Sequence, residues 1–219
     1  MHEFHPTEAS DKDDLIGRGV RVATAASVLS MLFAQAPEAG LLENITNPEL
    51  LKLWPLRDET SGKGIRMLLN SNEHSGIMAR DFRRLFGFNG TLINTGSAFH
   101  KLTNHEGPCE LCLKNSKEVV GLQRYPELPD EHISNILGSC GTLAGKMTAA
   151  ARTATKDVKI DFAYRLRDLV NGWAMPLGTF IADGLQELAQ SQTYKAAGYL
   201  LKGFLDETAD LAKTALEDD

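Results

Sequence analysis

Cys109-Glu110-Leu111-Cys112 puts two thiols three residues apart, a spacing that suits a shared zinc ion or a redox pair. A redox pair of the thioredoxin kind needs a βαβ setting, and zinc needs two more donors. No second C-x-x-C exists, so His100, His105, His132 and Cys140 are the candidate donors. His105 lies four residues upstream and within local reach of the pair. The plainer alternative is two small, partly buried apolar side chains. With three Cys, an odd count, and an incomplete ligand set, the expected state is reduced and metal-free. There is no G-x-x-x-x-G-K phosphate loop, no G-x-S-x-G elbow and no His-x-x-Glu-His. No catalytic residue is therefore assigned, and the expectation is a non-enzyme with no cofactor of its own.

Two further segments carry polar groups in patterned settings. Asp81-Phe82-Arg83-Arg84-Leu85-Phe86-Gly87 alternates core and charge, as an amphipathic helix end with a glycine stop does. Gly87–Gly96 follows as an irregular loop that still holds Phe88, Leu92 and Ile93, and it leads into Thr95-Gly96-Ser97-Ala98-Phe99-His100. An ordered loop of that length in a small domain is uncommon unless it has a task. His132, after Pro129-Asp130-Glu131, reads either as a surface or capping residue or as a pH-sensitive ligand contact.

The elements that position these residues read as helices throughout. Leu15, Gly19, Val22, Ala26, Leu29 and Phe33 recur at three-four spacing behind the acidic stretch Asp11–Asp14. Met78, Phe82, Leu85 and Phe86 form a second stripe. Pro129 suits a helix start, and Ile133, Ile136, Leu137, Cys140, Leu143 and Met147 continue on one face. Phe162, Leu166, Leu169 and Trp173 form another, which Pro176 is expected to kink or break. Tyr194, Ala197, Leu201, Phe204 and Leu205 line the last. Arg57–Lys63 reads as a polar loop before a brief helix over Ile65–Leu69, and Glu110–Val120 reads as helix. With no credible strand pair, the expected fold is all-α, a single-domain helical bundle over residues 1–219, with 1–11 and 208–219 as loose termini.

Hydrophobic residues are 42% of the 219, ample for a core of that size, and the net charge is −6. No basic stripe is present to neutralise phosphates, so nucleic acid is not an expected partner. Mild acidity suits a cationic peptide, or simply solubility. Met1–Ser10 lacks the apolar core of a signal peptide, and Val20–Ala36, the stretch nearest a membrane span, is interrupted by Arg21 and Gln35. The expectation is a cytoplasmic protein without direct membrane insertion.

These segments together resemble the TorD/DmsD family of cytoplasmic redox-enzyme maturation chaperones. The family's D-(Y/W)-x-R-L-F-x-G stands here as Asp81-Phe82-Arg83-Arg84-Leu85-Phe86-Gly87. Its G-S-(V/A)-(W/Y) is matched by Gly96-Ser97-Ala98-Phe99, and its E-P-x-D-H by Leu128-Pro129-Asp130-Glu131-His132. Trp173, Phe180 and Thr193-Tyr194 fit its C-terminal spacing, and Leu53-Trp54-Pro55-Leu56 is similar to a W-P-L of one branch. The likeness runs from about Leu15 to Glu207. It departs from the pattern at Leu128 and Glu131, which replace acids of the motif, and at Phe82 and Phe99, where tryptophan or tyrosine is common.

The resemblance implies a chaperone that binds the twin-arginine leader and immature form of a molybdopterin oxidoreductase, aiding cofactor insertion and delaying export. The implied binding residues are Phe82, Leu85, Phe86, Gly96, Ser97, Phe99, Pro129, Asp130, Glu131 and His132. Asp81, Asp130 and Glu131 would hold the leader's cationic start, and Phe82, Leu85, Phe86 and Phe99 would form a partly exposed apolar groove. Monomer and homodimer both stay open. The alternatives are a small thiol- or metal-binding helical protein using Cys109 and Cys112, and an unrelated helical interaction module.

Overall fold

The structure, a computed structural model, describes residues 11–36, 47–103, 113, 125–153 and 155–217. Among them the chain forms α1 (Asp11–Ala34), α2 (Pro48–Leu51), α3 (Glu59–Leu69), α4 (Ser75–Phe86), α5 (Gly96–Thr103), α6 (Ile133–Arg152), α7 (Lys156–Leu169), a π-helical turn (Val170–Ala174), α8 (Met175–Leu188) and α9 (Gln192–Glu217). No strand occurs among the described residues. The fold is all-α, in one domain.

The apolar stripes face inward as their spacing requires. Leu15, Gly19, Val22, Ala26, Leu29 and Phe33 of α1 are all buried, and so are the six stripe residues of α6. These two helices share the broadest interface of the bundle, with α9 packing on α1, α3, α7 and α8. Small residues permit the close crossing. A Cβ on Gly141 would strike Ala26, and one on Gly19 would strike Thr148.

By length and composition Asp14–Ala34 could cross a membrane, with a mean hydropathy of 1.3 in the most apolar window. Some 44% of that window is buried inside the bundle, so core packing already accounts for much of its apolar character. Arg18 on its flank donates to Glu207 at 2.8 Å and Asp210 at 2.6 Å, and its third nitrogen reaches Thr214 at 3.2 Å.

Three local expectations need correcting. The C-terminal stretch is not loose from 208: α9 continues to Glu217 and buries Thr208, Leu211, Ala212 and Ala215. Arg57–Lys63 is not a loop throughout. Asp58 caps α3 by accepting from the Ser61 amide at 2.7 Å, and Ser61 is buried. The two glycines and the polar face of α3 hid a helix that tertiary packing supports. Pro176 does not break the chain's helical course. A π turn immediately precedes α8, and Pro176 stands at the start of that helix, where its missing amide donor costs least. Of the helix expected over Glu110–Val120 only Leu113 is described, and it is helical; of the terminus expected to be loose over 1–11 only Asp11 is described, and it belongs to α1.

Candidate functional site

Asp81 is aimed inward, away from any rim. Its side chain is buried, and Oδ2 accepts from the Gln190 amide at 2.9 Å, the Ser191 amide at 2.8 Å and the Ser191 hydroxyl at 2.8 Å. Oδ1 accepts from Arg84 at 3.1 and 2.7 Å, and Arg84 also donates to the Leu188 carbonyl. Glu73 completes the clamp by accepting from the Gln192 and Thr193 amides at 2.7 and 3.0 Å. The first amides of a helix lack partners within it, and two carboxylates from the α3–α4 side supply them for α9. Asp81 therefore joins α4 to the α8–α9 turn and is withdrawn from the role of holding a peptide's cationic start.

The expected apolar groove also changes. Phe82, Leu85 and Phe99 are buried; only Phe86 is half-buried. Phe82 and Phe86 stack at 5.5 Å and flank Tyr194 at 6.0 and 6.2 Å, with Phe33 on the other side of Phe86 at 5.9 Å. Phe99 packs elsewhere, on Phe180 at 5.5 Å. Apolar spacing marked these residues correctly as inward-facing, but the space they face is core. Phe88, by contrast, is 99% exposed, on a turn where Asn89 takes a positive φ of 61°.

The segments around Gly96 and His132, far apart in sequence, do meet. Thr95 and His132 form an antiparallel bridge. The Gly96 amide donates to the Glu131 carbonyl at 2.9 Å, and the Ile133 amide donates to the Asn94 carbonyl at 2.8 Å. The Ser97 hydroxyl donates to Glu131 Oε1 at 2.9 Å. Gly96 opens α5 under the ring of Trp173, where any Cβ would overlap ring carbons. Trp173 in turn contacts His100 at 5.4 Å. Glu131 and Asp130 are half-exposed and Pro129 is exposed, so the corner presents carboxylates to solvent over a buried aromatic floor.

Asn135, which sequence reasoning passed over, pins this corner. Its Nδ2 donates to the carbonyls of Tyr125, Leu128 and Pro129 at 3.1, 3.3 and 3.0 Å, and its Oδ1 accepts from the Tyr125 amide at 3.3 Å. An amide side chain in the first turn of a helix, otherwise read as apolar-periodic, was the available signal.

His132 is the N-cap of α6: its Nδ1 accepts from the Ser134 amide at 3.2 Å. The bonded Nδ1 leaves the proton of the neutral ring on Nε2. Burial pushes its pKa down to about 4, with Glu131 opposing the shift. The folded state thus binds fewer protons than the unfolded chain between that value and about 6.5. Stability from this group is complete above pH ~6.5 and falls as pH drops toward about 4, by ~3 kcal/mol at the limit. Urea unfolding from pH 7.5 down to 4.5 should show this slope, and His132→Asn, which retains a capping oxygen, should flatten it. An unchanged slope in the variant would remove His132 as its source.

With the geometry in view, comparison with known proteins adds nothing to it. No family model, curated protein or solved structure matches this chain.

Cys109, Cys112 and His105 lie outside the described residues. Of the other candidate donors, Cys140 is sealed in the core, and burial pushes its thiol up to about 12. His132 is committed as a cap. Among the described residues no cluster of three His, Cys, Asp or Glu is placed to hold a metal ion.

A cavity of about 580 Å3 lies between α1, α2, α3 and α9, lined by Val28, Leu32, Leu50, Leu53, Trp54 and Leu200 among others. The signal for it was the Leu53-Trp54-Pro55-Leu56 segment, which sequence reading noted for its family likeness and not as a site.

Proposed function

We propose that this protein is a non-catalytic chaperone of the TorD/DmsD kind. It binds the twin-arginine leader and immature form of a molybdopterin oxidoreductase in the cytoplasm, aiding cofactor insertion and delaying export. The observation that carries this reading is the junction of Thr95–Phe99 with Pro129–His132. Two stretches singled out separately in the sequence, with twenty-nine residues between them, bond to each other through backbone and side chains and leave Asp130 and Glu131 toward solvent. A carboxylate rim of this kind suits the cationic start of such a leader, and it acts on orientation and association rate more than on affinity.

Isothermal calorimetry against a synthetic twin-arginine leader at two salt concentrations tests the reading. Glu131→Gln should weaken binding by a few-fold at most, since an exposed charge pair contributes about 0–1 kcal/mol, and it should reduce the salt dependence. Failure of the wild type to bind any such leader would overturn the proposal. Unaltered salt dependence in Glu131→Gln would remove the rim from it.

A further inference from the structure

Between His74 and Thr103 the charge balance of the chain reverses. The protein carries −6 overall, yet this stretch has four cations, Arg80, Arg83, Arg84 and Lys101, against a single acid, Asp81. Asp81 is buried in the clamp, where it already pairs with Arg84 at 2.7 Å. Arg80 and Arg83 are exposed, stand three residues apart on one face of α4, and have no carboxylate partner among the described residues. The helix dipole favours cations in a last turn, which accounts for Arg83 and Arg84 but not for Arg80, a turn earlier.

The turn that leaves this end of α4 presents Phe88, with 99% of its surface in solvent. Its backbone is fixed. The Gly87 amide donates to the Arg83 carbonyl at 3.0 Å, the Gly90 amide to the Gly87 carbonyl at 2.7 Å and the Thr91 amide to the Arg84 carbonyl at 3.0 Å. The Leu92 amide donates to the Leu85 carbonyl at 2.8 Å. Leu92 is buried against Gly184 of α8, where a Cβ would strike it, so the turn is anchored at its far end. Leu188, 40% exposed, joins the tip because Arg84 donates to its carbonyl. Interfaces are enriched in aromatic residues and arginine, and an anchor on a fixed turn spares the cost of ordering a loop on binding.

Charge decides what covers the tip. The occupant must bring carboxylates for Arg80 and Arg83 and apolar surface for Phe88. An anionic bilayer offers both, but it is flat and would also meet exposed Glu187 at the end of α8 and the rest of a chain of net charge −6. Nucleic acid needs more free cations than two. A short acidic segment reaches the tip alone.

We infer that the tip formed by Arg80, Arg83 and Phe88 docks an acidic segment of a partner protein, with carboxylates on the two arginines and apolar side chains over Phe88. The inference goes beyond the leader reading and does not rest on it, since the cationic start of a leader would be repelled here.

The test selects binders to the full chain from a random twelve-residue peptide library displayed on phage, then measures the enriched peptides as labelled synthetic copies. These should be acidic, carry at least one large apolar residue, and bind more weakly as salt is raised. Phe88→Ser should weaken them roughly tenfold or more, because an aromatic anchor dominates such an interface. Arg83→Gln should weaken them about twofold to fivefold, as an exposed charge pair does. Both side chains are exposed, so the fold should survive, and Lys146→Gln on α6 is the charge control with no effect. Enriched peptides that are not acidic, no enrichment at all, or affinities unchanged in Phe88→Ser and Arg83→Gln would each overturn the inference. Sedimentation with vesicles of phosphatidylglycerol and phosphatidylcholine that depends on Phe88, without acidic peptide binding, would assign the tip to a membrane surface and overturn it too. A twin-arginine leader should bind Phe88→Ser as it binds the wild type. Loss of leader binding in that variant, with no acidic peptide bound by the wild type, would overturn the inference and leave the leader reading standing.

Discussion

Asp81→Ala is expected to lower stability by about 3–5 kcal/mol, enough to unfold a marginal domain. The substitution removes one carboxylate that accepts from two backbone amides, a serine hydroxyl and a guanidinium. It leaves the Ser191 amide buried without its acceptor and Arg84 without its counter-charge, and each such loss costs more than the net worth of the bond. Asp81→Asn keeps one acceptor oxygen and should fall between wild type and Ala. Urea midpoints read the loss. Leader binding, measured under conditions where wild type and Asp81→Asn are both folded, should be equal for the two proteins. Wild-type stability in Asp81→Ala together with lost peptide binding would return Asp81 to the binding surface and refute the clamp.

Gly96→Ala is expected to cost about 1–3 kcal/mol by overpacking. The added Cβ overlaps Cζ3 and Cε3 of Trp173, so either the indole or the first turn of α5 must shift. The Gly96 amide bond to Glu131 and the Ser97 bond to the same residue both depend on that turn. A lower melting temperature should therefore be accompanied by altered tryptophan emission. Glycine is required here for close approach and not for an unusual backbone angle, so Gly96→Ser should behave like Ala. A Gly96→Ala protein with wild-type stability would mean that Trp173 has free space beside it, contrary to the packing described.

The inward stripes show how far periodicity carries. The α1 residues at three-four spacing and the Ile133–Met147 series are buried as their pattern demands, because an amphipathic helix has one favourable way to face a core. The same rule misled at Phe82, Leu85 and Phe99. A stripe states that residues face something apolar, and says nothing of whether that is the protein's own interior or a partner. Asp81 misled for a related reason. A carboxylate beside an apolar stripe reads as surface charge unless the backbone amides it will meet are known, and those at Gln190 and Ser191 lie more than a hundred residues away.

Sequence by itself determined the helical class, which faces of α1, α6 and α9 turn inward, the acidic balance, and the absence of the common nucleotide and hydrolase motifs. These follow from local propensity, spacing and composition, which act within a few turns of chain. Only the tertiary structure decided that the Asp81 carboxylate is a clamp, that Gly96 lies under Trp173, and that His132 is a cap bridged to Thr95. It alone decided that the Trp54 indole N–H is buried without a partner among the described residues. Each depends on groups brought together from distant positions. Their energies come from burial and hydrogen-bond geometry that no local pattern encodes.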